Sequence, residues 1–309
     1  VFSPIGAILL LAVVLRGAWA LIVPMEPFSD GGIYDMLARE IAAGRGYFWP
    51  EGRPAAYWPP GVSAYAGALY WIFGLSYTPI VLGNIIMSTA TVWLTYLLGR
   101  QVYGEWAGIV AGLLMALWPA QIQFVTIISS ELPFNFLVVG ALVLWLHASA
   151  PAWMRAVGAG VILALASFVR PTALLIPLLL GYLSLVRHPF TLRNAGVSAA
   201  MTVAAFLVMA LLIYPWTQRN ERLFGEPVLI SANGGVNLWM GNNPESEGKY
   251  MPMPEEIERL PEPERDRLLK ERAVEYIKAH PERFVAGAFK KLVVTYGKET
   301  IGVVWNERA

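Results

Sequence analysis

The chain has 309 residues, carries 23 Lys and Arg against 22 Asp and Glu, and contains no cysteine. Hydrophobic residues make up 56% and charged residues only 15%, against roughly 25% charged in an average soluble domain, which excludes one soluble core. A net charge of +1 gives no bulk attraction to nucleic acid, and the missing cysteine removes disulfides, thiolate metal sites and a Cys nucleophile.

The first apolar run, 5–23, is too long for a signal-peptide core and lacks a small-residue cleavage site, so it is expected to be a retained membrane span. In the polar segment behind it, Ile33, Tyr34, Leu37 and Ile41 recur at helical spacing over 29–43, with Ser29 or Asp30 suited to cap the start. Pro59-Pro60 precedes a second apolar helix, 61–73, too short for a span, and both helices are expected on the membrane surface. Six further spans are predicted at 79–98, 107–124, 132–148, 156–169, 172–186 and 195–216, the last but two and last but one being short.

Loop charges set the orientation. With the first helix running outward, the inner loops hold Arg100, Arg155, Arg187 and Arg193 and the short outer loops only Arg170. Both long polar segments then face the outside, the periplasm of a bacterial inner membrane or its equivalent. Beyond Trp216 come a Gly/Asn-rich stretch, 233–243, and a charged amphipathic helix, 262–279, with Leu269, Ala273, Tyr276 and Ile277 on one face and alternating charges expected to be solvated. Lys290 and Lys291 suit a membrane-surface anchor. The expected divisions are 1–23, the first helix; 24–78, an outer catalytic loop; 79–216, helices two to seven; and 217–309, an outer segment truncated before further helices.

Acidic residues are scarce. There are three aspartates, and two of them, Asp30 and Asp35, open the first outer helix. Asp30 stands just past a membrane exit, before Gly31-Gly32; it suits either a helix cap or a site with open space beside it. Glu131, in Ser129-Ser130-Glu131, is the one acid between Glu105 and Glu221 and belongs to the same face, as a cap or as a second candidate acid. Arg170 and Arg219 reach that face too. Their planar forks suit a phosphate at headgroup depth, or simply lipid headgroups. Arg16 lies inside the first helix, where pairing with Glu131 or contact with a substrate phosphate are the alternatives. His147, His188 and His280 are far apart and form no ligand spacing, so no metal and no cofactor is expected.

Taken in order, these features form a pattern. A first-helix Arg is followed by Pro27-x-x-Ser29-Asp30-x-x-x-Tyr34, then Tyr57-Trp58-Pro59-Pro60-Gly61, Ser130-Glu131, Arg170-Pro171, Pro215-Trp216 with Arg219-Asn220, and the stretch 234–242. The chain thereby resembles the GT-C membrane glycosyltransferases, in the branch of protein O-mannosyltransferases and the aminoarabinose transferases that modify lipid A. The resemblance implies an all-α polytopic membrane protein, a GT-C-type module of about seven transmembrane helices with two surface helices in the first outer loop and a mixed outer C-terminal segment. It also implies a polyprenyl-phosphate sugar donor, with Asp30 at the catalytic acid position and Tyr34 at the tyrosine four residues on. Relatives acting on lipid A carry a Glu-Lys pair where this chain has Tyr57-Trp58. That shifts the expected donor contacts to Arg170, Arg219, Tyr34, Tyr57, Asn220 and Arg16.

The function expected is inverting transfer of a sugar from a polyprenyl phosphate to a lipid, glycan or protein hydroxyl at the outer face, with Asp30 as base. Membrane lipids are the other expected partner, and nucleic acid is not one. A transporter or flippase, or a non-catalytic scaffold subunit, are the rival readings; absence of repeated halves and of a midplane polar cluster weighs against the first.

Overall fold

The structure is a computed structural model describing residues 3–187, 189–248, 250–297 and 300–306; His188 lies outside them. Helix α1 (Pro4–Ile22) begins with proline at its first position, where no N–H is needed, and Ser3 Oγ accepts the Gly6 N–H at 3.3 Å. The first polar segment then forms α2 (Asp30–Ala42), a loop closed by an isolated bridge between Phe48 and Pro54, and α3 (Gly61–Phe73). The apolar body follows as α4 (Thr78–Tyr103), α5 (Glu105–Leu117), α6 (Pro119–Gln123), α7 (Glu131–Trp145), α8 (Ala152–Val169), α9 (Ile176–Arg187) and α10 (Leu192–Phe224). Short helices α11 (Gly234–Gly241) and α12 (Glu255–Glu258), then α13 (Glu262–Ala279), α14 (Pro281–Gly297) and α15 (Ile301–Asn306), are the remaining elements among the described residues.

Each of the seven expected spans is helical, but they differ in reach. Helices α1, α4, α8 and α10 are long and apolar enough to cross a membrane, and α5 with α6 and the turn to Thr126 makes a fifth candidate bent by 57°. The bend has a local cause: Pro119 has no N–H to offer the Met115 carbonyl, so α5 stops there. Helix α7 and the stretch from Pro171 through α9 are shorter apolar helices alongside. Lipid-facing positions are apolar and open, such as Leu10 at 56% and Ile86 at 68% exposure.

Close helix packing replaces a large-residue core. A Cβ on Gly108 would stand 2.7 Å from the Tyr96 carbonyl, and one on Gly160 2.9 Å from that of Ala205, so α4 against α5 and α8 against α10 nearly touch backbone to backbone. Small residues at such contacts are how membrane helices associate when burial from water no longer drives them.

Because the helices alternate in direction, the starts of α4, α7 and α9 and the ends of α1, α8 and α10 gather at one end of the bundle. The segment between α1 and α4 lies there, and the C-terminal segment packs onto it. Glu262 of α13, 5% exposed, accepts from Trp49 Nε1 at 2.8 Å and from the Ala56 and Tyr57 N–H groups at 2.6 and 2.7 Å. One turn on, Asp266 Oδ1 accepts the Gly235 and Val236 N–H groups at the start of α11, at 2.7 and 3.2 Å. Not all charges of α13 are therefore solvated, as the pattern suggested: two of its acids fasten two other backbones. Farther on, Trp305 of α15 packs on Phe124, and Thr126 Oγ1 donates to Asn306 Oδ1 at 2.9 Å.

Candidate functional site

Asp30 is the first residue of α2, and the backbone before it is bent to place it. Ser29 has φ 52°, the one positive φ outside glycine among the described residues, and its side chain makes no capping bond. Such a conformation costs about 1–3 kcal/mol and is characteristic of functional sites. Gly31 is buried, and a Cβ there would come within 3.0 Å of the Ile128 carbonyl. The double glycine thus does not leave open space, as the sequence suggested. It lets the first turn of α2 press against the segment 127–130. Asp35 holds the far side of this turn, accepting from Arg39 Nε at 2.8 Å and from the Tyr70 and Tyr77 hydroxyls.

That approach brings Asp30 beside Ser130, Glu131 and Arg170. Arg170, at the end of α8, donates through Nε to Ser130 Oγ at 2.8 Å and through Nη2 to Glu131 Oε1, and lies over the Phe134 ring. Glu131 is thus occupied. The half-buried Asp30 carboxylate has no hydrogen-bond partner among the described residues. Burial chiefly, then the Glu131 charge, raises its pKa above the ordinary 3.8, and Arg170 partly opposes them. Tyr34, one turn along, is buried with its hydroxyl beside Ser130; burial, then Asp30 and Glu131, push its pKa up. Its ring meets Trp58 edge-on at 5.7 Å, and Trp58 meets Tyr57 at 5.0 Å. Burial pushes the Tyr57 hydroxyl up to about 12, lowered by Arg265 and raised further by Asp30. Asp30, Tyr34, Tyr57, Glu131 and Arg170 therefore form one neighbourhood.

Three of the sequence candidates stand outside it. Arg16 is fully buried and does not pair with Glu131: Nε donates to Ser88 Oγ at 2.6 Å, and its terminal nitrogens donate to the Ala12, Ala116 and Met115 carbonyls. It satisfies the helix end that Pro119 left open, where a cation also suits the helix dipole. Arg219 is not in a loop, because α10 continues to Phe224. It donates to the Tyr47 and Ala55 carbonyls of the first polar segment and to Asn220 Oδ1 beside it on α10, and stacks 4.8 Å over Trp216, so it does not join Arg170 on one phosphate. Asn220 is fully buried, its amide bonded to the Val228 carbonyl and its oxygen to Arg219.

An apolar cavity of about 470 Å³ adjoins the cluster. It is walled by Gly61 and Tyr65 of α3, Met87 of α4, Phe136 of α7, Phe168 of α8 and Trp216 of α10, with Pro60, Pro133 and Val169 at the cluster side. Gly61 is required here, since a Cβ would lie 2.7 Å from the Phe168 carbonyl. On the polar side Arg265 of α13 stacks 4.9 Å over the Tyr57 ring. Neither Arg265 nor Glu262 was legible in the sequence, because a buried contact and a solvated charge look alike in an alternating pattern.

Among the described residues no three histidine, aspartate or glutamate side chains come together, and the two carboxylates near Arg170 are not a ligand cluster. Residues 58–214 match the family described as dolichyl-phosphate-mannose-protein mannosyltransferase. Among curated proteins none matches the chain. Two crystal structures of an Archaeoglobus fulgidus oligosaccharyltransferase are similar, one in complex with zinc and sulfate, the other tethered by a disulfide to an acceptor peptide containing the NVT sequon. Their TM-scores are 0.57 and 0.56 at 16% identity, covering 94% and 96% of this chain. The chain spans 36% of the length of each. At that identity the likeness is one of fold, that of the GT-C glycosyltransferases.

Proposed function

The chain belongs to the dolichyl-phosphate-mannose-protein mannosyltransferase family, and on that footing we propose that it transfers a sugar from a polyprenyl phosphate to an acceptor hydroxyl, with Asp30 as the base. The observation that carries this is the contrast between two neighbouring acids. Glu131 is bonded to Arg170, while Asp30 is half-buried, unbonded and one α2 turn from Tyr34. A base must be free to accept a proton, and a raised pKa brings it closer to the working pH.

In the proposed step the acceptor oxygen forms a bond to the anomeric carbon as the bond from that carbon to the phosphate oxygen breaks. The acceptor proton passes to Asp30, and the leaving polyprenyl phosphate takes the bonding electrons. A single displacement without a covalent intermediate inverts the sugar carbon. The apolar cavity would take the start of the polyprenyl chain, and cations beside it would stabilise the growing phosphate charge. The loop-charge asymmetry supports an outward-facing site.

The test is transfer from radiolabelled polyprenyl-phosphate sugars by the purified protein, with Asp30→Asn as the control. Label reaching an acceptor with wild type and not with the variant is expected. Release of label to no acceptor, under any donor tried, would remove the proposal.

A further inference from the structure

We infer that Arg265 is a substrate-contacting residue whose guanidinium, carried over the Tyr57 ring by α13, binds the phosphate of the lipid-linked donor. The inference rests on the donor reading above and goes beyond it by naming a cation from the C-terminal segment.

The charges around the site leave room for such a group. Two carboxylates, Asp30 and Glu131, face one guanidinium, that of Arg170, so the cluster is net negative before a phosphate arrives. An anionic ligand there needs another cation with free N–H groups. Most of the neighbouring cations are spent: Arg170 on Glu131, Arg39 on Asp35, Arg219 on the Tyr47 and Ala55 carbonyls, and Arg16 inside the bundle.

Arg265 differs from them. Among the described residues its Nε is buried with no hydrogen-bond partner, and Nη1 makes a single long 3.4 Å contact to the Glu258 carbonyl. Neither acid flanking it on α13 is hydrogen-bonded to it: Glu262 accepts from Trp49, Ala56 and Tyr57, and Asp266, though within the field of Arg265, accepts from the start of α11. A guanidinium stacked on an aromatic face is held in plane, and its planar fork suits bidentate phosphate binding once a small shift of α13 frees it. A buried polar group left unpaired needs a reason, and a ligand supplies one here. The Tyr57 hydroxyl lies within the fields of both Arg265 and Asp30, which links α13 to the proposed base.

The experiment uses the full chain in lipid nanodiscs and equilibrium binding of two probes, a polyprenyl monophosphate and the polyprenol of the same length. Wild type should prefer the phosphate. Arg265→Ala should weaken phosphate-lipid binding roughly ten- to hundredfold, the worth of a charged hydrogen bond, and leave polyprenol binding unchanged. Arg265→Lys should recover part of the loss, and it carries the test should the alanine variant not fold. Equal loss of both lipids would show a merely structural role and overturn the inference. So would wild-type phosphate binding by folded Arg265→Ala. If wild type itself showed no preference for the phosphate, the donor reading would fall and take Arg265 with it; if only the variant behaved like wild type, the donor reading would survive.

Discussion

Glu262→Ala is the sharpest test of how the site is held. One buried carboxylate serves three donors on the first polar segment: Trp49 Nε1, the Ala56 N–H and the Tyr57 N–H, at 2.6–2.8 Å. Truncation strands all three at about 1–3 kcal/mol each. Tyr57 is half-buried, so water reaches part of the gap, and the expected cost is about 3–5 kcal/mol rather than the full sum. Glu262→Gln keeps an oxygen for the two backbone donors but sets its NH₂ against the Trp49 N–H, so about 1–2 kcal/mol is expected. Thermal unfolding in detergent should rank wild type above Gln above Ala. Transfer should fall in the same order at temperatures where all three remain folded, because the loosened segment carries Tyr57. An alanine variant that melts and turns over like wild type would refute the account of α13 as the fastening of this loop.

Asp30→Asn should lower transfer by roughly 10²–10⁴ while the thermal midpoint does not fall and near neutral pH rises, since the amide loses no hydrogen bond and removes a charge that burial disfavours; retained turnover would move the base elsewhere, with Glu131 next. The acid limb of the rate profile should lie above the ordinary carboxylate 3.8, and Glu131→Gln should shift it down by removing a charge that raises Asp30; a limb that does not move would separate the two groups. The same shift has a stability sign: a raised folded pKa favours the neutral acid, so this contribution is present at low pH and is lost as pH rises through the folded value. Since the chain has no cysteine, single Cys substitutions at positions 30 and 57 should react with an impermeant thiol reagent added outside and those at 100 and 187 should not; the reverse pattern would overturn the outward orientation. Arg16→Met should destabilise the protein by about 2–4 kcal/mol, removing the buried bonds to the Ala116 carbonyl and Ser88 Oγ, without changing donor affinity in the folded fraction.

The sequence by itself determined the membrane class, the positions of the apolar helices, the pair of short helices in the first polar segment and the place of Asp30 beyond the first span. Those are local matters, because run length, helical spacing and proline act within a few residues of themselves. The bend at Trp118-Pro119 was equally local, though its consequence was not. Whether an arginine serves a ligand or a carbonyl depends on what another helix brings within 3 Å, and only the tertiary structure decided it. It put Arg16 on the open end of α5, turned Arg219 to the Tyr47 and Ala55 carbonyls, occupied Glu131 with Arg170, and left Asp30 free. It also lowered α13 onto the site, where Glu262 grips a loop some 200 residues earlier and Arg265 covers Tyr57. A charged helix face carries no mark of such contacts in its own spacing, since burial of one charge in an alternating row is set by the surface it meets and not by its neighbours along the chain.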